Sequence, residues 1–451
     1  MRLLAPLAAP VLFAVLAGSL AACESSGAKP SPPTTATATA IPSAARQGAP
    51  PPIATTTPAA PVGPKVPMPE KADAVRAGRA INAFGASLYA GLAKKPGNFA
   101  FSPTSIEAAL AMTLGGAKGS TATEMRSVLK LEGGDDAVVA KLLRALGSPG
   151  KTLTLNVANR LFGEKTFTFK QDFIDRTRAD FDAPMEGADF LGSADKERGR
   201  INQWVEEKTA RRIKDLLPPR SLDATTRMVL VNALYFLAEW REPFKKESTF
   251  PQPFKTPSGE KSVPTMHQRI TGAVVEDGGS RFLELAYKGG EASMIIALPD
   301  APNGLAALEA KLTGAKLDEW QAALAKKPVE EVDVALPKLT LEPTAPMVLG
   351  DELKKLGMVQ AFDAERADFS GIGVPPDPQK RLFVSQVFHK AFVKVDEKGT
   401  EAAAATAVVM AEGGGMPRKA IAFQVDRPFL FFIVDKASGA TLFAGRVVDP
   451  T

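Results

Sequence analysis

Side chains that ordinarily do chemistry are scarce in this 451-residue chain, which holds one cysteine, Cys23, and two histidines, His267 and His389. Neither histidine has another His, a Cys or an acidic group at ligand spacing, so no metal centre is expected. The stretch Leu146-Gly147-Ser148-Pro149-Gly150-Lys151-Thr152 ends like a phosphate loop. That motif needs glycine where Ala145 stands, and Pro149 removes a backbone donor, so it is rejected. No G-x-S-x-G nucleophile elbow occurs. A Ser/His/Asp triad assembles in space, so spacing does not decide it, and no residue pattern points to one. The expectation is a protein that is not an enzyme and needs no cofactor.

Cys23 has a chemistry of its own. Met1-Arg2 gives a short positive start, Leu3 to Leu20 is almost uninterruptedly apolar, and Leu20-Ala21-Ala22-Cys23 follows. A charged start, an apolar run and small residues before a cut describe an export signal rather than a fold element. This ending resembles the bacterial lipoprotein signal, in which the Cys is acylated and becomes the new N-terminus. A plain signal peptide cut by chance beside a Cys is the alternative. As the only cysteine, Cys23 has no internal disulfide partner, and acylation explains an unpaired Cys in an exported protein. The protein is therefore expected outside the cytoplasm, held to the cell envelope by lipid on Cys23. No other stretch approaches the ~20 apolar residues of a membrane span.

Three regions follow. Residues 1–22 are the signal. Residues 23–69 carry the Cys and a Pro/Ala/Thr-rich segment such as Pro50-Pro51-Pro52, too poor in apolar surface to order itself and suited to a tether. Residues 70–451 have the composition of a folded domain. The whole chain has 55 basic and 50 acidic residues, a net +5 with no basic cluster, so nucleic acid is not an expected partner.

Within the domain, Ala72 to Leu92 reads as an amphipathic helix, with Val75, Ile81, Phe84, Leu88 and Leu92 near helical spacing. Ser105 to Leu114 reads as a very apolar helix. Arg198 to Ile213 reads as a third, with Ile201, Trp204, Val205 and Ile213 facing inward. Strand-like runs include Met228 to Phe236, Phe282 to Tyr287, Ala292 to Leu298, Val332 to Leu336, Ala391 to Val395, Ala420 to Val425, Phe429 to Val434 and Thr441 to Gly445. Helices gather in the first half and strands in the second, which is α+β rather than alternating α/β.

Four separated segments carry a family resemblance. They are Asn98-Phe99-Ala100-Phe101-Ser102-Pro103-Thr104-Ser105-Ile106 with Gly115 to Gly119, and Leu230-Val231-Asn232-Ala233-Leu234-Tyr235-Phe236 with Trp240 and Phe244. The third is Glu397-Lys398-Gly399-Thr400-Glu401-Ala402-Ala403-Ala404-Ala405-Thr406. The fourth is Asp426-Arg427-Pro428-Phe429-Leu430-Phe431 with Leu442 to Arg446. In order and spacing they resemble the serpin family of serine protease inhibitors, over about Lys71 to Thr451. The resemblance implies three β-sheets, about nine helices and an exposed reactive-centre loop. It also implies a monomer whose partner is a serine protease. That protease attacks the loop, forms an acyl-enzyme and is trapped when the cut loop inserts into the main sheet as a new strand. The native state is then metastable, and each molecule is consumed.

The hinge of such a loop would comprise Glu397, Gly399, Thr400, Glu401, Ala402, Ala403, Ala404, Ala405 and Thr406. In a strand, alternate residues share a face. Thr400, Ala402, Ala404, Thr406, Val408 and Met410 form one face, small or apolar enough to enter a core. The opposite face leaves Glu401 in water. An Ala-rich helix or linker is the alternative reading. A non-inhibitory serpin-fold binding or chaperone-like protein should carry charge or bulk on the entering face, and this chain does not. The resemblance also assigns Ser102, Ser105, Asn232 and His389 to a polar cluster beneath the sheet, either a latch for sheet opening or a set of satisfied core groups. Trp240 is either a gate at the top of the opening or core.

Counting the family's usual distance from Glu397 puts the cut bond at Gly413-Gly414. Gly413 suits an elastase-like or subtilisin-like pocket, and Glu412 a Glu-specific one. Met416 is disfavoured by the following Pro417. Arg418 suits a trypsin-like enzyme but would make the inserted strand overlong. The glycines also suit a flexible apex.

Overall fold

The computed structural model describes residues 66–131, 135–147, 153–375, 377, 380–400 and 420–451, all within one unit spanning residues 56–451, with the side chains at 156–158 and 233 left aside. Among the described residues there are nine α-helices, three large sheets and two two-stranded ones.

The main sheet runs, in spatial order, Leu339–Leu341, Val393–Asp396, Gly399–Thr400, Met228–Glu239, Thr154–Glu164 and Met185–Ala188. A second sheet of six strands contains Ala292–Pro299 and Phe429–Asp435, both buried along their whole length. Their near-continuous apolar sequence suits strands covered on both faces. The third sheet has four strands and ends on Thr249–Thr256, where Pro251 and Pro253 are tolerated because the strand is an edge.

Helix Pro103–Leu114 lies between sheets, packing on both Met228–Glu239 and Thr441–Val447. Eleven of its twelve residues are buried, as expected of a helix that is apolar all round. Ser102 caps it, its hydroxyl accepting from the Ser105 amide at 3.1 Å, and Pro103 opens the first turn.

The third predicted helix is corrected. It spans Phe190–Lys208 rather than Arg198 to Ile213. Beyond Thr209, Ala210 and Arg211 adopt left-handed φ values of 50° and 63°, which turn the chain. Ile213 still reaches the apolar cluster of Phe190, Ile201 and Val205, but from an irregular segment, with its amide donating to the Thr209 hydroxyl. Trp204 is only half-buried at the margin of that cluster.

Candidate functional site

Strand Gly399–Thr400 runs antiparallel to both of its neighbours, so those two, Val393–Asp396 and Met228–Glu239, are parallel to each other. The chain rises through Val393–Asp396, turns at Glu397-Lys398 and descends between the two strands. Thr400 sits opposite Val395 on one side and Ala238 on the other. A Cβ at Gly399 would run into the Ala238 carbonyl oxygen and lie 2.8 Å from Glu239 Cα, so glycine is what lets the descending chain fit. The Thr400 side chain is buried, sharing a 2.6 Å hydroxyl–hydroxyl hydrogen bond with Tyr287. Burial pushes the Tyr287 hydroxyl well up, so it stays protonated. Trp240 stacks on Tyr287 with ring centroids 4.6 Å apart and donates from Nε1 to the Asp396 carbonyl at 3.0 Å.

The turn is held by Glu397. Its carboxylate accepts from Lys338 Nζ at 3.0 Å on each oxygen and from the Thr249 hydroxyl at 3.0 Å, while its carbonyl accepts from the Phe244 amide. Burial alone would raise this carboxyl. Hydrogen bonds from its own amide, Lys338 and Thr249, with the lysine charge, hold it below the usual range instead.

About 26 Å along Met228–Glu239 from Trp240, at ~3.3 Å per residue, lies a second polar group. The Ser102 amide donates to His389 Nε2 at 3.0 Å, and the Ser105 hydroxyl donates to Asn232 Oδ1. Asn232 Nδ2 donates to Asn159 Oδ1 at 2.6 Å, and Asn159 Nδ2 to the Phe181 carbonyl at 2.8 Å. One helical turn thus ties the main-sheet strand of Asn232 to His389, which lies on the short strand Phe388–His389 just before Val393–Asp396 in the chain and pairs with Met347–Val348. Burial lowers the His389 pKa to about 4, so the ring is neutral and Nε2 is free to accept. His267 takes no part. It lies on Gly259–Gly272, stacked on Phe250 at 4.3 Å. Among the described residues no group of three or more His, Cys, Asp or Glu is placed to hold a metal.

A sheet with a turn descending into one end and a side-chain latch at the other is an architecture built to take in a strand. Residues 79–450 match the family model described as "Serpin (serine protease inhibitor)". The chain belongs to the serpin family. It is 42% identical over 363 residues to Serpin B6 of Pongo abelii, covering 78% of this chain and 93% of that protein. With the leukocyte elastase inhibitor of Homo sapiens it shares 38% over 367 residues, at the same coverages. The solved structure of Serpin48 from the insect Tenebrio molitor is similar at a TM-score of 0.72 and 33% identity, covering 83% of this chain and 98% of that one. Uncleaved ovalbumin is similar at 0.72 and 30%, covering 83% and 99%.

Against this serpin fold the predicted site residues divide. Ser102, Ser105, Asn232 and His389 come together, while Trp240 stands at the other end with Glu397, Gly399 and Thr400. Glu401, Ala402, Ala403, Ala404, Ala405 and Thr406, the cut-bond candidates Glu412, Gly413, Gly414, Met416 and Arg418, and Cys23 lie outside the described residues. Four participants escaped the sequence reading: Lys338, Thr249, Tyr287 and Asn159. Only Asn159 had a signal to offer, as a polar residue in a strand-like run that pairs directly with Asn232.

Proposed function

We infer that this serpin inhibits serine proteases irreversibly, as a suicide substrate whose cut loop enters the main sheet. The observation that carries this is the seating of Gly399–Thr400 as the first rungs of a strand between two parallel banks. If the chain continued in the register of Thr400, Ala402 would fall opposite Phe236 and Val393, and Ala404 opposite Leu234 and Ala391. Those four side chains are buried, so small entering residues suit them. Thr406 would then arrive opposite Asn232, a polar side chain meeting the polar latch. Charge or bulk at these positions would mark a non-inhibitory serpin, and none is present.

The target we favour is elastase-like or subtilisin-like, with cleavage at Gly413-Gly414 and Glu412, Met416 or Arg418 as alternative sites. The name of the leukocyte elastase inhibitor among the relatives supports that class. Export on a bacterial-type lipoprotein signal, with lipid on Cys23 and residues 23–69 as tether, would hold a monomeric inhibitor at the cell envelope.

Incubation with elastase-like, subtilisin-like and trypsin-like proteases should yield a denaturant-resistant covalent complex, and the released C-terminal peptide should locate the bond. Ala404→Arg should abolish the complex while cleavage continues, because an arginine cannot be seated between Leu234 and Ala391. Cleavage of the unaltered protein with no complex and no gain in thermal stability would overturn the reading.

A further inference from the structure

The helix that forms the latch also carries a group the latch does not use. Glu107 is 0% exposed, and neither carboxylate oxygen has a hydrogen-bond partner. The other buried carboxylates among the described residues, on Glu164, Asp396, Glu397 and Asp435, all accept hydrogen bonds. Two residues past Ser105, Glu107 points to the opposite side of the helix from Asn232. It shares the side of Pro103, which packs on Gly85, and of Thr104, whose hydroxyl donates to the Thr441 carbonyl at 2.7 Å.

Six elements pack on this helix: Lys71–Leu92, Gly119–Val128, Asp136–Leu146, Gln171–Phe181, Met228–Glu239 and Thr441–Val447. The titratable groups they bury are Tyr89, Tyr235 and Arg446; their other charged side chains lie at least partly in solvent. Tyr89 and Arg446 are both committed to Glu309, at 2.7 and 3.0 Å, and none of the three bonds to Glu107. A negative charge here has nothing to stabilise it. Burial accordingly pushes this carboxyl well above its ordinary 4.5.

We propose that Glu107 is a buried, proton-holding carboxyl that makes the uncleaved fold progressively weaker as the solution passes from mildly acidic to alkaline. An unfolded chain gives up this proton above its ordinary value and the folded chain keeps it, so rising pH favours unfolding by about tenfold in equilibrium constant per unit. His389 acts in the opposite sense: its folded value of about 4 lies below the ordinary 6.5, so rising pH between those values favours the fold. Between about 4.5 and 6.5 His389 opposes Glu107, joined by His267, whose value burial also lowers. Above that window Glu107 acts without that opposition, and from about pH 10 Tyr89 and Tyr287, whose hydroxyls burial also raises, add to the same slope. On the inhibitory reading given above, on which this consequence rests, the usable inhibitor lasts longest in mild acid.

The test uses the uncleaved protein and Glu107→Gln in urea between pH 6.5 and 8. Relative to the variant, the unaltered protein should show an unfolding constant that rises about tenfold per pH unit. Parallel curves overturn the proposal. Should the variant fail to fold, the infrared carbonyl stretch of a protonated carboxylic acid decides, since the unaltered folded protein should show it at pH 7 and its absence there overturns the proposal. Protease-capturing activity should decay faster at pH 8 than at pH 6.5, and equal decay counts against the consequence for inhibition. If no protease is captured at any pH, the inhibitory reading fails, while the urea and infrared results still decide the role of Glu107.

Discussion

The two ends of the main sheet are joined in different currencies. At the hinge end a strand has already entered: Gly399–Thr400 makes backbone pairs with both banks, and Tyr287, Trp240 and the Glu397–Lys338 ion pair surround it. At the latch end the helix turn at Ser102 and Ser105 holds His389 and Asn232 by hydrogen bonds to their side chains, beside the packing of Phe388 on the cluster of Val229 and Val231. Backbone pairs ask only that the next residue be small, so entry can continue along the hinge one residue at a time. A side-chain latch must exchange partner for partner, and it is the natural place for entry to be delayed.

That contrast can be broken experimentally. Trp240→Ala should be the most damaging single change at either end, costing about 3–5 kcal/mol in urea unfolding, because it removes a fully packed ring and empties the space over Tyr287. A loss under 1 kcal/mol would mean that the hinge end is not held by packing.

At the latch end the largest expected effect depends on pH. The His389 value is depressed, so its contribution is fully present above 6.5 and is lost as pH falls toward the folded value of about 4. The stability advantage of the unaltered protein over His389→Gln should shrink by about 3 kcal/mol across that window. Comparison with the variant cancels the opposite slope of Glu107. A constant difference would show that His389 is not held neutral by the Ser102 amide and its burial.

Smallest should be Glu397→Gln, at about 1–2 kcal/mol, since Lys338 is 38% exposed and water screens part of the pair. Its sharper readout is kinetic. Spontaneous conversion to a more heat-resistant form should be faster in Glu397→Gln than in Asn159→Ala if the turn restrains entry, and slower if the latch does.

Much of the seam was legible in residue patterns. The Asn232 strand and the apolar helix after Ser102 could each be read locally and the resemblance put them in order, while the Ala-rich alternation after Thr400 lies outside the described residues. The helix after Phe190 was misjudged at its C-terminal end because Ile213 keeps helical spacing with Ile201 and Val205, although Ala210 and Arg211 break the backbone in between. Lys338, Thr249, Tyr287 and Asn159 were not legible as partners. Each meets its counterpart across 59, 148, 113 and 73 residues of chain, respectively, where no local period operates.

The sequence by itself determined the kind of protein: small residues at alternate positions after Thr400, apolar runs for buried strands, and a helix apolar all round after Ser102. Those are properties of neighbours along the chain, set by strand and helix periods. Tertiary structure alone decided the register that buries Thr400 against Tyr287, the pairing of Glu397 with Lys338, and the isolation of Glu107 in a helix whose other polar residues are bonded. A partner's presence or absence depends on which distant surfaces pack together, and a linear pattern does not encode that.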